Sequence, residues 1–387
     1  MSAELRQGPR AGVKWPAETS SYVDPNTGAR VRRLTDQPGA ADHHLYFTTD
    51  GWYDDGRRLL LRSRREGRRN LFSLDLETDT LTQVTDLPEQ VYGSTRVNPA
   101  RNEVYVTHGD RVVAVHLDRL SVRDVTGLPP DYRDGYALAV DDVLADDERL
   151  LIKATERTDV DGFEATRERR PHCAVFVVPV EGGDPELVHE EGRWISHVNA
   201  SPTRPDLLTF CHEGPWDHVD NRMHVLNLET GESYRLRETD DDEAVGHEFW
   251  LRDGEHVGYH GWRGSRESGE RFFGTVRYDD TDRRETPIPV RETHCHANDR
   301  SRFVCDGDTG TQHLLLYDAD GDGGYRDPRK LATHAWDPES PHPHSRFSPD
   351  GSTVVFDADP AGDNDVYLVD VPAFDDLPPF DPGGPDA

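Results

Sequence analysis

Short apolar runs alternate with polar positions along most of the chain, and turn residues break them every few positions. The clearest unit is GWYDDGRRLLLRSRREGRRNLFSLDLETDTLTQVTD, from Gly51 to Asp86. Its LLL run at 59–61 is followed by Leu71, Leu74 and Leu76, with DDG and ETDT as turn signals between runs. Alternation with a period of two, bounded by such residues, predicts short antiparallel strands. No stretch sustains the 3.6-residue period that a helical fold requires.

The same phrase recurs with drift. It returns as VNPARNEVYVTHGDRVVAVHL from Val97, and as DDVLADDERLLIKA from Asp141 followed by CAVFVVPVEGGDPELV. It returns again as HVNASPTRPDLLTFCHEG from His197, HEFWLRDGEHVGYHGW from His247, HCHANDRSRFVCDGD from His294 and HSRFSPDGSTVVFDAD from His344. Equivalent points lie roughly 45–55 residues apart, the length of a four-stranded propeller blade. The expected fold is therefore all-β, a seven-bladed β-propeller of four-stranded antiparallel blades. Residues 27–36, TGARVRRLTD, match the last strand of the first unit, LTQVTD at 81–86, and the C-terminal unit at 344–371 lacks that strand. The N-terminal strand is expected to close the ring against the final blade and remove an exposed edge. Residues 1–371 read as a single propeller domain. Residues 372–387, rich in Pro, Asp and Gly, read as a disordered acidic tail.

Charge alters the surface more than the fold. Lys and Arg total 44 against 75 Asp and Glu, a formal net charge of -31 spread along the chain. Such a surface holds water and counterions and points to a halophilic protein in a salty cytoplasm, with docking of basic partners as the alternative. Nucleic acid is not an expected partner, because phosphate backbones require basic patches. No apolar run reaches the ~18 residues of a membrane-spanning helix, and the first residues lack the apolar core of a signal peptide, so a cytoplasmic location is expected. Cys173, Cys211, Cys295 and Cys305 form no CxxC pair, and no disulfide scaffold is expected. A propeller-capped peptidase is not expected either, since no hydrolase domain follows the blades and no GxSxG elbow is present.

The candidate chemistry comes from the phase of the histidines. His197, His247, His294 and His344 each open a repeat unit, and His43 and His44 precede the first. The first strand of a blade lines the central channel, so residues that open it converge near the axis on one face. PESPHPH at 338–344 places Glu339, His342 and His344 together, with the two histidines on one side of an extended chain. THCH at 293–296 adds His294 and His296, again on one face. Imidazoles with a carboxylate suit a divalent transition metal such as Mn, Fe, Ni or Zn. FCHEGPWDHVDNRMH at 210–224 contributes Arg222, His212 and His218 from a neighbouring blade.

With these motifs in view, the chain resembles the oligogalacturonate lyases, seven-bladed propeller enzymes of pectin breakdown. The resemblance runs from KWPAETSSYVDPNTGARVRRLT (14–35) to the last blade. It is carried by HHLYFT (43–48), NLFSLDLET (70–78), GHEFW (246–250) and HPHSRFSPDG (342–351). LDLET and FSPDG occur in many propellers, whereas HHLYF, GHEFW and HPH are far more specific. The resemblance implies a metal-dependent β-elimination lyase, using a divalent metal that is typically Mn2+. It implies cleavage of short unsaturated oligogalacturonides to 4-deoxy-5-keto uronate monomers.

The family holds its metal with three histidines and a glutamine. His342 and His344 match two of the histidines, and His294 matches the third through its HxxxN spacing to Asn298, which leaves His296 as a neighbour. Glu339 stands where the family has glutamine, a departure that adds negative charge and keeps another uronate-containing sugar open as substrate. His247 matches the catalytic base and Arg222 its partner arginine, with His43, His44 and Arg222 as expected substrate contacts. These residue types suit the reaction. The proton on C5 of a uronate is weakly acidic until the C6 carboxylate is neutralised, and a neutral imidazole can then take it near neutral pH. The expected partner is a small acidic oligosaccharide, without nucleic acid or membrane, and the expected assembly is a monomer or homodimer. A non-catalytic binding propeller similar to TolB is the alternative, and it leaves the converging histidines unexplained.

Overall fold

The computed structural model describes residues 6–16, 18–87, 90–307, 311–334, 342–359 and 362–383. Among these residues the strands pair into seven antiparallel sheets, the seven blades of a propeller ring. The third blade shows the pattern, running outwards from the axis through Tyr136–Val143, Arg149–Glu156, Cys173–Pro179 and Glu186–Glu191. The inner strands of the fourth to seventh blades are Ile195–Ala200, Glu243–Trp250, Cys295–Asp299 and Arg346–Phe347. In the first blade two short segments, His43–His44 and Trp52–Tyr53, share the inner position against Arg58–Ser63.

The ring closes as the sequence predicts. Arg30–Arg33 pairs antiparallel with Asp365–Asp370, with Val31 opposite Val369 and Arg33 opposite Tyr367. It supplies the fourth strand of the last blade, and Ser20–Val23 adds a fifth. Lys14–Trp15 continues onto the outer strand of the first blade, Thr80–Gln83. The N-terminal segment thereby straps the first and last blades together.

Apolar residues at alternate strand positions meet those of the next blade, which removes both faces of each sheet from water. Among the described residues they form seven buried clusters, one in each gap between neighbouring blades. In the gap between the fifth and sixth blades, Phe303 is stacked between Phe273 at 4.0 Å and Tyr317 at 4.2 Å. In the closing gap, Leu34, Trp52 and Phe72 pack with Val355 and Val366.

Two expectations are corrected. The tail is ordered over residues 372–383: Phe374, Leu377 and Phe380 are buried, and the Phe380 N–H donates to the Pro328 carbonyl at 3.0 Å. Its Pro, Asp and Gly content suggests disorder, yet three apolar side chains spaced three residues apart fill the outer grooves of the last blades. Cys295 and Cys305 form a disulfide, because strand register sets them directly opposite each other in the sixth blade. Cys173 and Cys211 are free and buried. No helix among the described residues is long and apolar enough to cross a membrane.

Candidate active site

The repeat phase of the histidines has a backbone counterpart. His197, His247 and His344 adopt left-handed φ values of 47°, 49° and 51°. The inner-strand ladders of the fourth and fifth blades shift register at the first two of these positions. A non-glycine residue in this region costs about 1–3 kcal/mol, and such costs gather where a side chain must be re-aimed. Here each bulge swings an imidazole towards the axis.

Four of the singled-out histidines meet there. His247 stacks on His294 with ring centroids 4.2 Å apart. His294 lies 4.4 Å from His344 and 5.2 Å from His342, and the last two are 5.7 Å apart. One nitrogen each of His294, His342 and His344 fall within 4.8 Å of one another. Three imidazoles at this spacing fit a divalent transition metal. A metal-ligating imidazole must be neutral, and burial, followed by the neighbouring His294, His44 and His342, holds His344 well below the usual histidine range.

The second layer fits the same use. Asp306, fully buried, accepts from His294 Nδ1 at 3.0 Å and from the His294 backbone N–H at 2.7 Å. It also accepts from the His344 backbone N–H at 3.2 Å. Against the opposing effect of burial, His294 holds the Asp306 carboxyl below its ordinary value. A carboxylate on Nδ1 fixes the tautomer and directs the Nε2 lone pair of His294 away, the usual arrangement behind a ligating histidine. Asp306→Asn is expected to weaken divalent-metal binding by about 10- to 100-fold, measured calorimetrically, with the fold intact; unchanged affinity would show that Asp306 plays no such part.

His247 is set for a different task. Its Nδ1 contacts the Thr293 carbonyl and lies 3.3 Å from His260 Nε2, which reaches the same carbonyl at 2.9 Å. A hydrogen bond from Nδ1–H to Thr293 leaves the lone pair on Nε2. Burial first, then His294, His260 and Arg222, hold His247 well below the usual histidine range, so its ring is neutral. Burial and His294 likewise hold His260 at about 3.

A cavity of about 470 Å³ opens beside this cluster, with His247, His260, Thr293 and His342 at its inner end and Trp216 and Trp262 beyond. The GHEFW motif builds the wall between them. Any side chain at Gly246 would meet the Trp216 indole at 2.3 Å, so glycine is what allows the ring to lie against the strand. Trp216 packs edge-on against His247 at 4.8 Å. Glu248 is buried and accepts from Arg222 Nε at 3.2 Å.

The remaining candidates fall elsewhere. Arg222 is buried behind Trp216, 5.4 Å from its ring, and donates to Glu213 at 2.9 Å as well as to Glu248. Its charge is balanced by two carboxylates, and it does not line the cavity. His43 is bound to Asp357 at 2.9 Å, and buried His44 meets the Pro343 carbonyl at 3.2 Å. These two histidines secure the seam between first and last blades and the segment carrying His342 and His344. His296 accepts from the Phe347 N–H at 3.3 Å and stacks on Phe249 at 5.3 Å, apart from the cluster. The expectation of one shared face for His294 and His296 fails because the strand begins only at Cys295. His212 is clasped by Glu191 at 2.9 Å and Asp220 at 3.0 Å, and exposed His218 pairs with Glu164 at 3.0 Å. Glu339 lies outside the described residues.

His197, Cys211 and Glu213 also bring ligand atoms within 4.8 Å. Glu213 is already paired with Arg222 at 2.9 Å and His197 at 3.3 Å, and burial pushes the Cys211 thiol well above its ordinary range. This group is an ion-pair network with a protonated thiol beside it.

Sequence reasoning missed Asp306, His260, Tyr46 and most of the cavity wall. Tyr46 packs its ring among His344, His294 and His197 at 5.0, 5.9 and 5.7 Å, and burial raises its pKa well above the ordinary tyrosine value. Its place inside the HHLYF motif was the available signal.

Fold and site together define a seven-bladed propeller with a trio of metal-competent histidines at its axis and a neutral histidine stacked against them. The chain belongs to the oligogalacturonate lyase family: a family model of that description matches residues 10–330. An oligogalacturonide lyase of Pectobacterium atrosepticum is 28% identical over 93% of this chain and 98% of its own length. An oligogalacturonate lyase of Dickeya dadantii is 27% identical over the same shares. Among solved structures, an oligogalacturonate lyase in complex with manganese superposes with a TM-score of 0.84 at 25% identity, covering 94% of this chain and 98% of that one. The Vibrio parahaemolyticus oligogalacturonate lyase shares the fold with a TM-score of 0.82 at 23% identity.

Proposed function

We propose that this chain is a manganese-dependent lyase that cleaves short unsaturated oligogalacturonides by β-elimination, with His247 as the base and His294, His342 and His344 as metal ligands. The observation that carries the reading is the contact of a neutral His247 with the His294–His342–His344 trio at the inner end of one cavity. A divalent cation bound there supplies charge to offset a uronate C6 carboxylate and so acidifies the adjacent C5 proton. His247 takes that proton at Nε2, since Nδ1 is committed to Thr293; the C4–C5 double bond forms as the C4–O bond breaks, and the leaving oxygen takes a proton from solvent. Asp306 orients His294 and holds the backbone at His344, so the trio is set before substrate arrives. Trp216 excludes water from the face of His247. Arg222 acts through Trp216 and Glu213 rather than on the sugar. The family membership and the manganese carried by the related structure support this reading over a TolB-like binding propeller.

The test is direct. Purified protein with manganese is incubated with unsaturated digalacturonate, and the ultraviolet absorbance of the C4–C5 double bond is followed. Absorbance is expected to fall as the unsaturated ends are released and rearrange to open-chain keto sugars. Folded, metal-loaded protein that leaves the absorbance unchanged would contradict the assignment of this substrate.

A further inference from the structure

The segment that carries His294 serves both halves of the site. The Thr293 carbonyl anchors His247 Nδ1 and His260 Nε2, and the next residue is His294 of the trio. Both residues precede the inner strand Cys295–Asp299. They are tied to the continuation of the neighbouring strand by two backbone bonds. Thr293 N–H donates to the Gly307 carbonyl at 2.7 Å, and the His294 carbonyl accepts from Asp306 N–H at 3.1 Å. The ladder behind them is short. Cys295 stands opposite Cys305 and His296 opposite Val304, and the register then shifts before Asp299 meets Arg302.

A covalent bond closes the end of that ladder. Cys295 and Cys305 are joined by a disulfide, and each is one residue from a member of the His294–Asp306 couple. Both are fully buried and pack with Phe47, Phe249 and Phe303. Phe47 also lies 5.1 Å from the His294 ring and 6.0 Å from that of His247. Apolar packing is non-directional and tolerates a slide between strands, whereas a cross-strand bond does not. A ligand set is competent only when held within about 0.5 Å of its geometry, and Asp306 orients His294 only in this register.

The chemistry proposed above gives neither sulfur a part. We propose that the Cys295–Cys305 disulfide positions the metal centre: it locks the strand pair on which the His294–Asp306 couple stands, so that metal affinity follows the redox state of these two cysteines. This rests on the function proposed above only in taking His294 as a metal ligand. Reduction by a dithiol breaks the S–S bond. Two electrons and two protons pass to the sulfurs, which become thiols, and the dithiol closes to its own disulfide. The strand ends are then free to slide, and His294 loses its fixed orientation against Asp306. By linkage, bound metal opposes reduction by the same factor by which the disulfide tightens metal binding.

The experiment compares three forms of the full chain, all free of metal at the start. They are the native protein, the protein reduced with dithiothreitol and desalted under nitrogen, and the Cys295→Ala/Cys305→Val double variant. Thiol titration after denaturation is expected to find two free thiols in the native form, Cys173 and Cys211, and four after reduction. Calorimetric titration with manganese is expected to show about 10-fold weaker binding in both disulfide-free forms. Amide exchange at His294, measured without metal, is expected to be faster in both. In Asp306→Asn protein, reduction is expected to change affinity by less than about 2-fold, because the couple that the disulfide positions is already broken. Four free thiols in the native protein, equal manganese affinity in native and reduced forms, or the full loss persisting in Asp306→Asn would each overturn the proposal. A loss in the double variant that reduction does not reproduce would mark a packing defect and overturn it as well. Disulfide-dependent affinity in a protein that performs no elimination would leave the positioning role standing and remove the lyase reading instead.

Discussion

His247→Asn lowers kcat by about 100- to 10,000-fold while manganese content stays at the wild-type level. The magnitude is that of a lost general base. Asparagine is the informative replacement because residue 247 has a left-handed φ of 49°, which asparagine adopts far more readily than alanine does. Its amide can still donate to the Thr293 carbonyl, so the strand bulge survives while the basic nitrogen is gone. His247 is not one of the trio whose nitrogens cluster within 4.8 Å, so metal retention is expected. Loss of metal in this variant would make His247 a ligand and leave the reaction without its proposed base. The wild-type pH profile carries the same signature. Burial, with His294, His260 and Arg222 close by, favours the neutral ring, so the acid limb of kcat/KM falls below the ordinary histidine value of about 6.5. A limb above that value would contradict the assignment.

The second large effect separates two histidines only two residues apart. His294→Ala is expected to lower manganese affinity by more than about 100-fold and abolish turnover, because it removes a ligand and its link to Asp306. It also strands a fully buried carboxylate without its main partner, so a loss of stability accompanies it. His296→Ala, by contrast, keeps its metal, since that ring faces Phe249 and Phe347. Metal analysis of the two purified variants decides between them. Metal retained by His294→Ala and lost by His296→Ala would reverse the ligand assignment.

These expectations show which parts of the molecule were legible in the sequence. Blade count and ring closure could be read because each blade repeats one local pattern, and residues 27–36 match a strand that the last unit lacks. The convergence of His247, His294 and His344 could be read for the same reason, since equal phase in a ring means proximity. The features missed depend on pairing between strands. Asp306 lies opposite His294, and Cys305 opposite Cys295, only once the register of the sixth blade is fixed. A bulge likewise decides whether an inner-strand side chain faces the axis, and those at His197 and His247 emerge only from the pairing of each inner strand with its neighbour. Arg222 depends on pairing in the same way: it occupies the expected blade, and its ion pairs with Glu213 and Glu248 appear only once the fold brings them close in space. The tail misled because composition reports average tendency, whereas Phe374 and Leu377 pack into one specific groove and Phe380 into the next.

The central claim is that one metal at the histidine trio makes His247 competent to break the glycosidic bond. Stepwise addition of manganese to metal-free protein, with bound metal and elimination of unsaturated digalacturonate measured on the same samples, tests it most directly. Activity is expected to rise in proportion to occupancy and to level off at a single manganese per chain. Full elimination by the metal-free protein, or activity that does not follow the bound metal, would contradict it.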